Sequence, residues 1–84
     1  MEEKEVGTIT HYYGHVSVVI IELNDSLKVG DTVHIKGHSS DFTQLIDSME
    51  IEHAGVQEAK KGDIIGLKIS QKAHVNDKVY KVIE

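Results

Sequence analysis

Three times in 84 residues a glycine or asparagine followed by aspartate stands just ahead of a short aliphatic run. The three stretches are Leu27-Lys28-Val29-Gly30-Asp31-Thr32-Val33-His34-Ile35, Ala59-Lys60-Lys61-Gly62-Asp63-Ile64-Ile65-Gly66-Leu67-Lys68-Ile69 and Val75-Asn76-Asp77-Lys78-Val79-Tyr80-Lys81-Val82. Glycine takes positive φ without a Cβ penalty, and asparagine tolerates the same region. The aspartate carboxylate accepts a nearby backbone N–H, expected just downstream, so each bend is set locally before any packing occurs. Three turn-plus-strand units in so short a chain point to a small β-barrel. Their spacings, 32 and then 14 residues, rule out a solenoid repeat.

Length allows one domain, residues 1–84, burying roughly 60 to 65% of its unfolded surface and leaving little for further machinery. Residues 1–5 are polar and are expected to fray. No cysteine means no disulfide framework and no thiolate metal site. With no apolar segment suggesting export or a membrane span, a cytoplasmic home is expected. Nine lysines, no arginine and fourteen carboxylates give a net charge of −5, the wrong sign for unaided phosphate-backbone binding, and no DNA partner is expected. The first 42 residues hold three lysines against seven acids and the last 42 hold six against seven, which leaves room for a local basic face in the second half.

Along the chain, Val6 to Tyr12 is rich in β-branched and aromatic residues and reads as a first strand, with Gly7 marking a bulge or a close backbone approach. A turn with Gly14 in the left-handed region leads to a second strand, His15 to Leu23. Val16 to Ile21 of that strand is apolar on both alternating faces, where a barrel strand needs only one. A chain end, a bulge or a partner must therefore cover its outward side, and Val19 and Ile21 are the candidate apolar contact face. Thr32 to Lys36 is a third strand, and Phe42 to Glu52 a long fourth with Leu45, Met49 and Ile51 on the core parity. Ile64 to Ile69 is the fifth, where Gly66 signals another backbone or ring crossing; Lys78 to Val82, pairing with the first strand, is the sixth. The absence of proline removes one guard on edge strands and favours closure.

The run Leu27-x-Val29-Gly30-Asp31-x-Val33-x-Ile35, followed by Ala59-x-x-Gly62-Asp63-x-x-Gly66-Leu67-x-Ile69, resembles the second domain of translational GTPases such as elongation factor Tu. The likeness extends from about Val6 to Val82, and Ile46 to His53 looks most like a small elongation-factor-like group. A similar barrel is appended to some collagenase-like peptidases. The resemblance implies an all-β, six-stranded antiparallel closed β-barrel with Greek-key connections. It implies a non-catalytic translation elongation factor-like module that docks on RNA, the ribosome or a protein partner. The alternative implication is a structural or protein-interaction subunit complementing a separate enzyme such as a collagenase-like peptidase. The family's aminoacyl-end contacts do not transfer, because the matching residues are scaffold glycines and aliphatics.

Candidate contact residues for RNA or a partner are Lys36 and His38, beside a loop of small hydrogen-bonding residues, and the adjacent pair Lys60 and Lys61. Tyr12, Tyr13 and Tyr80 are candidate stacking rings. Neither Gly30 nor Gly62 is followed by the Lys-Ser/Thr of a phosphate-binding loop, which excludes a GTPase site. His11 with His15 and His34 with His38 have a four-residue spacing that converges on a helix face, not around β-turns, so no metal and no cofactor are expected. Ser39, Ser40, His38 and Asp41 crowd one loop, and sequence neighbours rarely make a working triad; no catalytic residue is assigned.

Overall fold

The computed structural model describes residues 2–83. They form an all-β protein, and no helix occurs among the described residues. In chain order the strands are β1 (Glu2–Tyr13), β2 (Val18–Leu23), β3 (Leu27–Lys28), β4 (Thr32–Lys36) and β5 (Asp41–Leu45). They continue as β6 (Met49–Ile51), β7 (Ala54–Val56), β8 (Glu58–Ala59), β9 (Ile64–Lys68) and β10 (Lys78–Ile83). Eight strands make one sheet in the order β5-β4-β10-β1-β2-β9-β6-β7, and β3 pairs with β8 apart from it. Every pairing is antiparallel.

The three bends launch β4, β9 and β10 as the sequence requires, and they are copies of one device. Gly30, Gly62 and Asn76 have φ of 98°, 94° and 76°. Each following aspartate accepts the N–H of the residue three positions before it: Lys28 at 3.0 Å, Lys60 at 2.9 Å and His74 at 2.9 Å. That bond runs upstream, not downstream as expected. It closes the turn on the same residue whose carbonyl accepts the aspartate's own N–H, at 2.9–3.1 Å. Each turn then clasps one buried aliphatic of a neighbouring segment. Ile46, Leu23 and Ile9 accept the N–H of Gly30, Gly62 and Asn76, and donate to the carbonyls of Asp31, Asp63 and Asp77. The next inward residue after each turn, Val33, Ile65 or Val79, is completely buried. Local turn chemistry thus fixes both the direction of a strand and which of its faces joins the core.

The six-stranded closed barrel requires correction. The ladder is open, with β5 and β7 at its edges. The predicted fourth strand is broken at residues 46–48, because Ile46 turns inward to be clasped by Gly30 and Asp31. Before the break the expected parity is reversed, with Phe42 and Ile46 buried and Leu45 54% exposed; after it Met49 is buried as expected. Where a closing strand pair would be, the Gln44 side chain bridges β5 to the end of β9. Its Nε2 donates to the Lys68 carbonyl at 2.9 Å, and its Oε1 accepts the Ser70 N–H at 2.8 Å. A side-chain amide has the same donor and acceptor as a peptide, so it satisfies edge groups where the backbone does not meet.

Glu2 to Glu5, expected to fray, pair with β10 from Ile83 to Tyr80, and Lys4 forms an ion pair with Asp25. Gly7 lies at a register shift between Glu5 and Gly7, and a Cβ there would stand 2.7 Å from Ile21 Cγ2 and 2.8 Å from the Glu22 carbonyl oxygen. Bulge and close approach are therefore both present. In the β1–β2 connection Ser17, not Gly14, takes positive φ, at 57°.

Candidate functional site

The candidate basic residues fall into two separate groups. Lys36 ends β4 and His38 follows it in the β4–β5 turn, whereas Lys60 and Lys61 occupy the β8–β9 turn; all four are exposed. Between β4 and β9 the sheet order interposes β10, β1 and β2, four ladder steps. Four antiparallel steps make β4 and β9 parallel, so Lys36 at the end of β4 and Lys60-Lys61 ahead of β9 lie at opposite ends of the sheet. The Lys60 N–H is already committed to the Asp63 turn.

The polar chemistry clusters on the half built from β1, β10, β4 and β5. His34, outward on β4, is only 15% exposed at its side chain, held between two carboxylates. Its Nδ1 lies 2.8 Å from Glu3 Oε2 and its Nε2 2.5 Å from Asp41 Oδ1. Ionised carboxylates only accept, so the two contacts are both satisfied when both ring nitrogens carry protons, and the site favours the imidazolium form. The hydrogen bond to Asp41 is the main cause that raises the His34 pKa above its ordinary value, opposed by desolvation and aided by Glu3. The same bond holds the Asp41 carboxyl below its usual range. With both nitrogens occupied the ring has no lone pair to offer a metal. Among the described residues no cluster of histidine and acidic side chains is arranged to hold a metal ion.

Nearby, Ser40, His74 and Asp77 meet, a grouping the sequence reading did not make. Ser40 Oγ is 3.1 Å from His74 Nδ1 and Asp77 Oδ2 is 3.8 Å from the same nitrogen. A proton relay needs the hydroxyl and the carboxylate on opposite ring nitrogens. Here both address Nδ1, which suits a turn brace and not nucleophile activation. Asp77 is buried against Gly37, where a Cβ would come within 1.8 Å of its Oδ1.

The other half of the sheet, β2, β9 and β6, carries an apolar groove of about 520 Å³. The β1–β2 hairpin supplies Tyr13 and Val16, β2 supplies Val18 and Ile20, and β9 supplies Ile64 and Gly66. Tyr13, Val16 and Ile64 are 44%, 47% and 54% exposed. Its rim is acidic, formed by Glu50 of β6 and by Glu52 beside His53 in the β6–β7 turn. That turn has two successive non-glycine residues at positive φ, Glu52 at 51° and His53 at 66°. Each costs about 1–2 kcal/mol relative to a relaxed backbone, and such strain concentrates at functional positions.

This groove corrects the assigned contact face. Val19 and Ile21 have no exposure and belong to the core; Val18 and Ile20, of the opposite parity, face outward. The double-sided apolar run drew attention to β2, and the strand itself alternates without a break, Val19, Ile21 and Leu23 inward, while the bulge between Ile9 and His11 switches the faces of β1. Gly66 has no crossing ring or backbone over it; a Cβ there would meet Ile20 Cδ1 at 3.8 Å and Val18 Cγ1 at 3.9 Å, ordinary contacts. It is the floor of the groove. The adjacent pair Ile64-Ile65 was a further available signal, since one of two neighbouring strand residues must point out.

No family model matches the chain. Over 81 residues, 95% of the chain, it is 38% identical to an uncharacterized protease of Methanocaldococcus jannaschii, and the match spans 20% of that protein's length. The C-terminal domain of a Geobacillus thermoleovorans protein described as a U32 peptidase superposes with a TM-score of 0.89 at 18% identity, covering 95% of this chain and 93% of that one. A selenomethionine variant of that domain gives 0.85, again at 18% identity, over 90% and 96%. At that identity the likeness is one of fold. These relatives agree with the resemblance to barrels appended to peptidases, and they lend no support to the translation-factor reading. No helix among the described residues is long and apolar enough to cross a membrane.

Proposed function

We propose that this chain is a non-catalytic protein-interaction module that works with a peptidase polypeptide. The observation that carries the proposal is the near-complete match of the chain to one fifth of a protease, 38% identical over 95% of its length. A module of this kind needs a surface for its partner, and the groove of β2, β9 and β6 offers one whose apolar walls have no covering element within the described chain. A role on RNA is favoured less. The four basic candidates are divided between two turns, and the groove carries carboxylates where a phosphate backbone requires cations.

The test is a pull-down with the tagged chain from native lysate, with and without nuclease. A peptidase-family polypeptide retained after nuclease treatment is the expected result. Retention of ribosomes or RNA alone, abolished by nuclease, overturns the reading. The purified chain is expected to leave peptide substrates uncleaved.

A further inference from the structure

We propose that the groove is a recognition site for a protein segment in which a lysine or arginine lies beside an aliphatic or aromatic residue. One row of residues crosses three strands. Gly66 pairs with Ile20 of β2 on one side and with Glu50 of β6 on the other. A side chain laid over Gly66 therefore meets a hydrocarbon wall at one flank and a carboxylate at the other. Lysine and arginine have that composition, an apolar stem ending in a cation. Glu52, one outward position further toward the turn, places a second carboxylate at the same rim. Tyr13 and Val16, at the hairpin end, provide an apolar berth for the neighbouring residue of the segment.

Charge selects among occupants. The groove's lining contains two carboxylates and no lysine. Lys68, cross-strand from Val18, lines a separate, smaller depression with Gln44, Leu45 and Asp47. Nucleic acid and anionic lipid are repelled by such a rim, and the chain's net charge of −5 adds a long-range preference for cationic partners. A second copy of this chain would bring its own Glu50 and Glu52 against the first in a two-fold contact, because such contacts place the same patch on both subunits.

The experiment titrates the intact chain with three synthetic hexapeptides, Gly-Ile-Lys-Ile-Lys-Gly, its Glu-for-Lys counterpart and its Ser-for-Ile counterpart, following backbone amide resonances. The expected result is saturable movement of the Gly66, Ile20 and Glu52 signals with the first peptide, weakened about tenfold or more by either replacement, and weakened by salt. Glu50→Lys with Glu52→Lys is expected to invert the preference toward the Glu peptide, and Gly66→Leu to abolish binding by filling the floor. Equal response to all three peptides, absence of any response, or an unchanged preference in the doubly reversed variant overturns the proposal. So does movement of the same signals on concentrating the protein alone, which marks a self-contact. The site stands apart from the peptidase partnership. Selective peptide binding without peptidase co-purification keeps the groove and removes that partner, while co-purification unaffected by Gly66→Leu does the reverse.

Discussion

The two halves of the sheet meet water differently. On β1, β10, β4 and β5 several outward polar side chains find partners within the chain: His34 holds Glu3 and Asp41, and Lys78 reaches Thr8. On β2, β9 and β6 the outward side chains Val18, Ile20 and Ile64 find none, and the groove lining holds no lysine to pair the carboxylates beside them. The contrast lies in grouping: exposed aliphatics of the first half, Leu45 on β5 and Ile83 on β10, lie outside the groove, whereas those of the second half line it together. A contiguous apolar surface of this kind marks an interaction site more often than scattered single residues do.

The largest effect expected is at the packed end of the first half. Gly37→Ala forces a Cβ into the Asp77 carboxylate and is predicted to cost about 3 kcal/mol. Gly66→Ala, in the groove, has ordinary contacts and should change stability by no more than about 0.5 kcal/mol. Urea unfolding of the two variants checks the pair, and equal losses would erase the distinction between a filled and an open half. Next comes an inside-outside comparison on β9. Ile65→Thr buries a hydroxyl at a fully buried site and is expected to destabilise by about 2–3 kcal/mol, whereas Ile64→Thr should leave stability within about 0.5 kcal/mol yet reduce partner retention.

A smaller effect sharpens the strain at the rim. Replacing Glu52 by Asn together with His53→Gly supplies residues suited to two successive positive φ values and should raise stability by about 1 kcal/mol. A loss in chemical denaturation would show that the turn is not strained. The smallest effect belongs to His34. Its folded pKa is raised above 6.5, so its stabilisation is complete below about that pH and fades as pH rises through the raised value. Asp41 works in the other direction: its folded pKa is lowered below 3.8, so its contribution is present above that value and fades as pH falls through the lowered one. Thermal unfolding between pH 5.5 and 9 should show a modest alkaline decline that His34→Gln removes.

Much of the scaffold was legible because its signals are local. Gly30, Gly62 and Asn76 each mark a left-handed position, and a strand follows each one. Thr32–Lys36 was readable residue for residue, and so was the pairing of the last strand with the first. The fourth predicted strand was misread, because clasping of Ile46 by a turn sixteen residues upstream breaks it, and no neighbour of Ile46 in sequence announces that contact. The candidate site divided in the same way. Two-sided apolarity singled out β2, yet Val19 and Ile21 were named where Val18 and Ile20 face the groove.

The sequence by itself determined the three bends, the antiparallel all-β character and the surplus of aliphatics on β2, since each follows from the preferences of a few adjacent residues. Tertiary structure alone decided the parity of β2, the bridging of the sheet's gap by Gln44, and the meeting of Ile20, Gly66 and Glu50 in one row. Because Val18 to Ile21 is apolar on both faces, no local preference chooses which of them turn inward, and pairing with β1 and β9 decides it.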